Sequence, residues 1–178
     1  MTVPQKFKTM HAELKEKFKG HKLVLGYGPM DAKIVFVSER APHERDVTDK
    51  AMTPIHEKTF NQLLKTAGIN KRHIYVTNVV KYAQEQTERI SPKEMRVHGA
   101  FLREELKTIN PKIVVTLGDL ALMGVGLRQP LENVHGRTFA MGAFQLLPTF
   151  HPESARTDAR IRLLTETDFR KLKEMAAV

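Results

Sequence analysis

The chain has 178 residues and contains neither cysteine nor tryptophan. Without thiols it can form no disulfide framework, zinc-thiolate site, cysteine-ligated iron–sulfur cluster or thiolate nucleophile, so its chemistry must come from oxygen, amide or imidazole groups. Long apolar runs are missing too. Met1 to Lys22 interleaves lysines with apolar residues and lacks the apolar centre of a signal peptide, and no run is long enough to cross a bilayer, which predicts a soluble, cytoplasmic protein. Nucleotide-loop signatures are weak: Gly26-Tyr27-Gly28 has no third glycine, and no phosphate loop ending in Gly-Lys-Ser/Thr occurs. His43, Glu44, Asp46 and His56 match no ligand spacing, so no metal and no cofactor are expected.

Acidic residues are in deficit, 20 against 29 Lys plus Arg, leaving a formal charge of +9; with 41% hydrophobic residues the chain can still bury a real core. These numbers predict one globular domain spanning 1–178 and a polyanionic partner. Phe7, Met10, Leu14 and Phe18 recur at helical spacing among lysines, predicting an amphipathic helix over about 5–19 that Gly20 stops. Three runs read as buried strands, Lys33–Val37, His73–Thr77 and Lys112–Gly118, and a fourth runs from Phe144 to Phe150. Between them fall helical faces carrying Phe60, Leu63, Leu64 and Ala67, and then Met95, His98, Phe101, Leu102 and Ile109 behind the Ser91-Pro92-Lys93-Glu94 cap. A short helix is predicted through Leu120, Ala121 and Met123, and a C-terminal one through Phe169, Leu172 and Met175 after Thr165-Glu166-Thr167-Asp168. Strands alternating with helices predict an α/β fold, a three-layer α/β/α sandwich with a short, mostly parallel central sheet.

In such sheets ligands bind beyond the carboxyl ends of the strands, where this sequence places Glu39, Asn78 and His151. The set contains no activated nucleophile. Asparagine offers a paired donor and acceptor suited to the edge of an amide-like ring, histidine can donate to an oxygen gaining charge, and glutamate can orient or deprotonate water. Taken singly, each also fits a bland role: Asn78 as a turn or cap residue, Glu39 as exposed charge, His151 as a strand-end residue.

Four segments resemble, in order and spacing, the uracil-DNA glycosylase superfamily, closest to its family-four branch: Ile34–Glu39, Tyr75–Lys81, Pro111–Gly118 and Leu147–Pro152. The resemblance covers nearly all of the chain beyond residue 23. It implies a hydrolase that flips a uracil out of DNA and cleaves its N-glycosidic bond without a metal, as a monomer with uracil-containing DNA, single- or double-stranded, as its partner. Position by position, it implies that Glu39 places the attacking water, that Asn78 donates to uracil O4 and accepts from N3, and that His151 stabilises charge on O2 of the departing base. It further implies substrate contacts at Arg40, Ala41, Pro42, Met52, Lys81 and Arg156.

The sequence departs from the family's pattern in four places. Ser38-Glu39-Arg40-Ala41-Pro42-His43 stands where Gly-Glu-Ala-Pro-Gly is usual, and Met52 stands where an aromatic stacks on the base. The four cysteines that hold the family's structural iron–sulfur cluster are absent, with Tyr82 and His98 at the positions of the later two. Beyond His151-Pro152, Glu153-Ser154-Ala155-Arg156 replaces the leucines that wedge into the vacated stack, leaving Arg156 to fill the gap or to bind phosphate. Alternatives that stay open are a glycosylase for hypoxanthine or xanthine and a catalytically silent DNA-binding paralogue.

Overall fold

A computed structural model describes residues 1–41, 51–83 and 89–177. Its strands are β1 (Ile34–Ala41), β2 (Ile74–Ala83), β3 (Ile113–Leu117), β4 (Phe139–Ala140) and β5 (Gln145–Thr149), in the order β2-β1-β3-β5-β4. β2, β1, β3 and β5 run parallel, and β4 is antiparallel at one edge. Such a sheet must be covered on both faces, and two apolar clusters do this. On one face Val35, Val37, Tyr75, Val79, Val114 and Leu146 pack with Phe7, Met10, Leu102 and Leu106; on the other Ile34, Phe36, Val76, Val115 and Leu147 pack with Phe60, Leu63, Leu64, Phe169 and Leu172. The alternation along each strand thus sorts residues between α1 (Val3–Lys17) and α3 (Pro92–Ile109) on one side and α2 (Pro54–Thr66) and α7 (Ala159–Ala176) on the other. The three-layer sandwich expected from the sequence is present.

Local chemistry sets the element ends. Thr2 and Ser91 form capping boxes with Gln5 and Glu94, each followed by proline in the first turn, and Asn110 closes α3 in the left-handed conformation at φ 53°. Short helices α4 (Asp119–Gly124), α5 (Leu131–Val134) and α6 (Pro152–Thr157) fill the connections. The free edge of β2 is covered by the chain before β1: Tyr27 and Val76 exchange backbone hydrogen bonds, and Val24 N–H donates to the Lys81 carbonyl at 2.9 Å.

The C-terminal helix starts earlier than its sequence predicts. Asp158 caps α7 by accepting from the N–H groups of Arg160 and Ile161, so Thr165-Glu166-Thr167-Asp168 lies inside the helix. Thr165 donates back to the Ile161 carbonyl at 2.7 Å, and Asp168 is buried against Thr149 (2.7 Å) and His135 (3.0 Å). A cap-like string was therefore a tertiary contact. No helix among the described residues is long and apolar enough to cross a membrane.

Candidate active site

Parallel pairing puts Ser38 directly beside Asn78 on the sheet face covered by α2. Both are 1% exposed, and both carry an atom without a partner, Ser38 Oγ and Asn78 Oδ1. Asn78 spends one N–H on the Ala51 carbonyl, at 3.1 Å, which fixes the amide plane and leaves the other N–H and the acceptor oxygen for a ligand. Orphaned polar atoms in a buried place cost roughly 1–3 kcal/mol each, a cost a ligand can relieve.

The segment that holds Asn78 also reaches His151. Five residues beyond Ala51, His56 sits in the first turn of α2, where the Thr53 hydroxyl caps its N–H at 3.4 Å. Its ring meets the His151 ring edge-on, centroids 5.1 Å apart at 87°. His151 is the N-cap of α6, and its Nδ1 accepts from the Glu153 N–H at 3.0 Å. Burial first, and then neighbouring His56, push the imidazole down to about 4 against the attraction of Glu153. The ring is therefore neutral at pH 7, and with Nδ1 occupied as an acceptor its proton resides on Nε2 as a donor.

Glu39 leaves β1 on the opposite face from Ser38 and lies at the start of α4. A Cβ added at Gly118, which sits at φ 101°, would collide with its carboxylate, and the Leu120 N–H donates to it. Gly118 N–H in turn donates to the Thr149 carbonyl at 2.9 Å, joining this corner to the strand that delivers His151. Burial and then the nearby Asp119 carboxylate raise the Glu39 carboxyl to about 7, opposed by Arg40 and the Leu120 hydrogen bond. A carboxyl poised there changes charge in the neutral range, a property suited to a general base.

The contacts implied around these three residues divide. Arg40 lies close enough to act on the Glu39 charge. Ala41 ends β1, and Pro42 lies outside the described residues, as do His43, Glu44 and Asp46 of the rejected metal set. Met52 is 2% exposed and belongs to the α2-side core with Phe60 and Val76, beside the Ala51 carbonyl that holds Asn78. Lys81 is a correction. Its side chain leaves β2 on the α3 side, 2% exposed, and its ammonium donates to Thr77 Oγ1 at 2.6 Å and to Glu105, so it is a structural cation that no phosphate reaches. Arg156 makes a two-pronged pair with the Glu153 carboxylate (2.8 and 2.6 Å), and His56 Nε2 holds that same carboxylate at 2.8 Å. Sequence reasoning named His56 only within a metal set that it rejected, and gave Ser38 and Asp119 no role. Register beside Asn78 and a position just after the Gly118 turn were the available signals.

The sequence model described as the Uracil DNA glycosylase superfamily matches residues 25–174. The chain belongs to the uracil DNA glycosylase superfamily. It is similar to the type-4 uracil-DNA glycosylase of Thermotoga maritima, 32% identical over 133 residues, covering 73% of this chain and 69% of that protein. The type-4 enzyme of Archaeoglobus fulgidus is 26% identical over 161 residues, covering 85% and 81%. A type-5 uracil-DNA glycosylase of Pyrobaculum aerophilum is 30% identical over 114 residues, covering 62% and 49%.

The iron–sulfur cluster of the type-4 branch does not fit this superfamily member, which has no thiolate to bind one. Tyr82 and His98 instead join an aromatic box: His98 stacks on Phe18 (4.6 Å, 9°), Tyr82 stacks on His21 (4.3 Å, 22°), and the Tyr82 hydroxyl donates to Glu94 at 3.2 Å. His98 is fully buried, and burial holds it down at about 4, so it is a neutral packing residue.

Proposed function

We propose that this chain hydrolyses the bond between deoxyribose C1′ and uracil N1 in DNA, acting on a uracil flipped from the stack. The observation that carries the reading is the buried Asn78 amide, with an unpartnered acceptor and one uncommitted N–H, held by the 51–56 segment whose His56 also meets a neutral, donor-poised His151. Uracil offers N3–H to that acceptor and O4 to that N–H. Cytosine presents a bare nitrogen and an amine at the same edge and would leave both Asn78 groups mismatched, which discriminates strongly in a dry pocket.

As the glycosidic bond breaks, the electron pair goes to the base, and negative charge grows on O2, where His151 Nε2–H donates. One preorganised donor of this kind lowers the barrier by roughly 3 kcal/mol. The sugar becomes oxocarbenium-like, ionised Glu39 attracts it and orients the water, the water adds at C1′ as its proton passes to Glu39, and the uracil anion takes up a proton from solvent. Free uracil and an abasic site result. The excess of 29 basic over 20 acidic residues favours a phosphate backbone as partner. In this reading the chain is a single-domain monomer acting beside its DNA in the cytoplasm.

The test is release of free base from single-stranded and mismatched duplex oligonucleotides. Wild type frees uracil in the presence of a chelator, and His151→Ala loses roughly 10²–10³ in rate. A wild-type preference for hypoxanthine or xanthine would move the assignment to another deaminated base. DNA binding with no release of any base would leave a silent binding protein.

A further inference from the structure

We propose that His56 and Glu153 are positioning residues for the glycosidic cleavage, locking the His151 imidazole with its Nε2–H turned toward the leaving base. The inference rests on the proposed function and adds residues to it.

A histidine at a strand end has two nearly equivalent ways to lie, related by a half-turn of the ring, and the choice decides which nitrogen faces the crevice. Here three contacts remove the choice. The Glu153 N–H holds Nδ1 at 3.0 Å, and the edge-on His56 ring blocks rotation. The Glu153 side chain, which anchors that amide, is itself held from two elements. His56 Nε2 on α2 approaches Oε2 at 2.8 Å, and Arg156, one turn along α6, grips both oxygens at 2.8 and 2.6 Å. Two helices are thereby tied together through one carboxylate, immediately behind the donor.

The clamp also acts electrostatically. His56 from α2 and Glu153 from α6 are the titratable groups among the described residues that act on the His151 ring, and any positive charge on His56 opposes a second one on His151. A neutral ring keeps its single proton on Nε2, where the departing base needs a donor. The neighbouring Arg156 is thereby committed to Glu153 in the free protein. Its role as a wedge or phosphate contact would require it to leave that carboxylate, whereas the clamp uses it as it stands.

His56→Gln and Glu153→Gln are near-isosteric changes at side chains 13% and 38% exposed, so folded protein is expected from both. Three readouts separate positioning from mere packing: single-turnover uracil release, DNA affinity, and the nitrogen-15 imidazole spectrum of His151. Positioning predicts that each variant releases uracil about tenfold more slowly, with DNA affinity within about twofold, because displacement of a catalytic group costs rate rather than binding. The wild-type spectrum should show one neutral tautomer protonated on Nε2, both variants a mixture, and His56→Gln a His151 titration midpoint moved upward from about 4. Glu153→Asp, which restores the charge, should recover part of the rate. Unchanged tautomer and rate in both variants would overturn the proposal, as would a rate loss that lies wholly in DNA affinity. Should wild type cleave nothing, the function reading fails, while the His151 spectrum still decides whether the clamp exists.

Discussion

The carboxyl of Glu39 has an ordinary value of 4.5 and stands at about 7 in this fold, which makes the rate of base release depend on pH in a range where most carboxylates are silent. In the proposed mechanism the charged form both attracts the cationic sugar and accepts the proton of water, so activity is expected to rise with pH. A midpoint near 7 makes about a tenth of the molecules active at pH 6 and about nine tenths at pH 8, a rise of about tenfold. His151 titrates at about 4 and adds nothing in this window. The second cause of the Glu39 elevation is Asp119, whose Oδ1 also accepts from the Leu131 N–H at 3.4 Å. Asp119→Asn keeps an oxygen for that bond and removes the charge. Repulsion between two partly solvated carboxylates is worth about 1 kcal/mol, a little under one unit of midpoint, so the variant should be about threefold to fourfold faster than wild type at pH 6 and equal to it at pH 9. Arg40→Gln removes an opposing influence and should shift the limb the other way. The assay is single-turnover release with enzyme saturating over DNA, which isolates the bond-breaking step. A wild-type rate flat between pH 6 and 8, or an acid limb that Asp119→Asn leaves in place, would refute the assignment of Glu39 as the group that must ionise.

Gly118→Ala should lower stability by about 1–3 kcal/mol in chemical unfolding, since φ 101° is closed to a side chain, and should lower the rate as well, because the new Cβ lands on the Glu39 carboxylate. Lys81→Met leaves Glu105 buried without its cation and should cost about 3–5 kcal/mol of stability, while DNA affinity measured below the unfolding range stays within about twofold of wild type. An intact stability with a large loss of DNA affinity would restore Lys81 as a phosphate contact. His98 and His151 both fall from 6.5 to about 4 on folding, so the stability they contribute is complete above about 6.5 and is lost as pH drops toward 4. Glu39, raised on folding, works in the opposite direction between 7 and 4.5 and offsets one of the two. Urea midpoints should therefore fall between pH 6.5 and 4.5, and an increase over that range would contradict the burial of the two rings.

The alternation of strand and helix was legible because each buried strand is a run of β-branched and aliphatic residues with a polar residue at its end, and burial on both faces demands that composition. The polar residue after each predicted run marked Glu39, Asn78 and His151 without any knowledge of which strands are neighbours, although β1 and β2 continue past the first two to Ala41 and Ala83. What could not be read was anything set by contacts across long separations. Lys81 reads as a basic residue beside a site, and only its encounter with Glu105, 24 residues away on α3, turns it inward. Asp168 reads as part of a helix cap until Thr149 and His135 claim it. His56 reads only as part of a metal set that its spacing rules out, and its partners are Glu153 and His151, brought to it by the packing of α2 on α6. Short polar motifs carry little information about such partners.

The missing cysteines acquire their meaning from β2. A thiolate-held cluster would tie the chain before β1 to the end of β2 and the start of α3 by strong, directional bonds. Here the same three places are joined by Phe18 and His21, by Tyr82, and by His98 with Phe101. Stacked rings contribute only about 0.5–1.5 kcal/mol per pair beyond their burial, so the box alone is a softer tie than a cluster. Immediately inward of it, however, Glu105 on α3 accepts from Tyr75, Thr77 and Lys81, residues on the face of β2 opposite Asn78. The strand is thus held on one face over the stretch that presents Asn78 from the other, and the Ala51 carbonyl fixes its amide there. In the base-reading role proposed for Asn78, discrimination is only as sharp as its donor and acceptor are immobile, since a mobile amide can rotate to suit cytosine. In this chain the rigidity that the family resemblance assigns to a metal cluster is distributed between an aromatic box and a buried polar network, and the network stands closer to the residue that needs it.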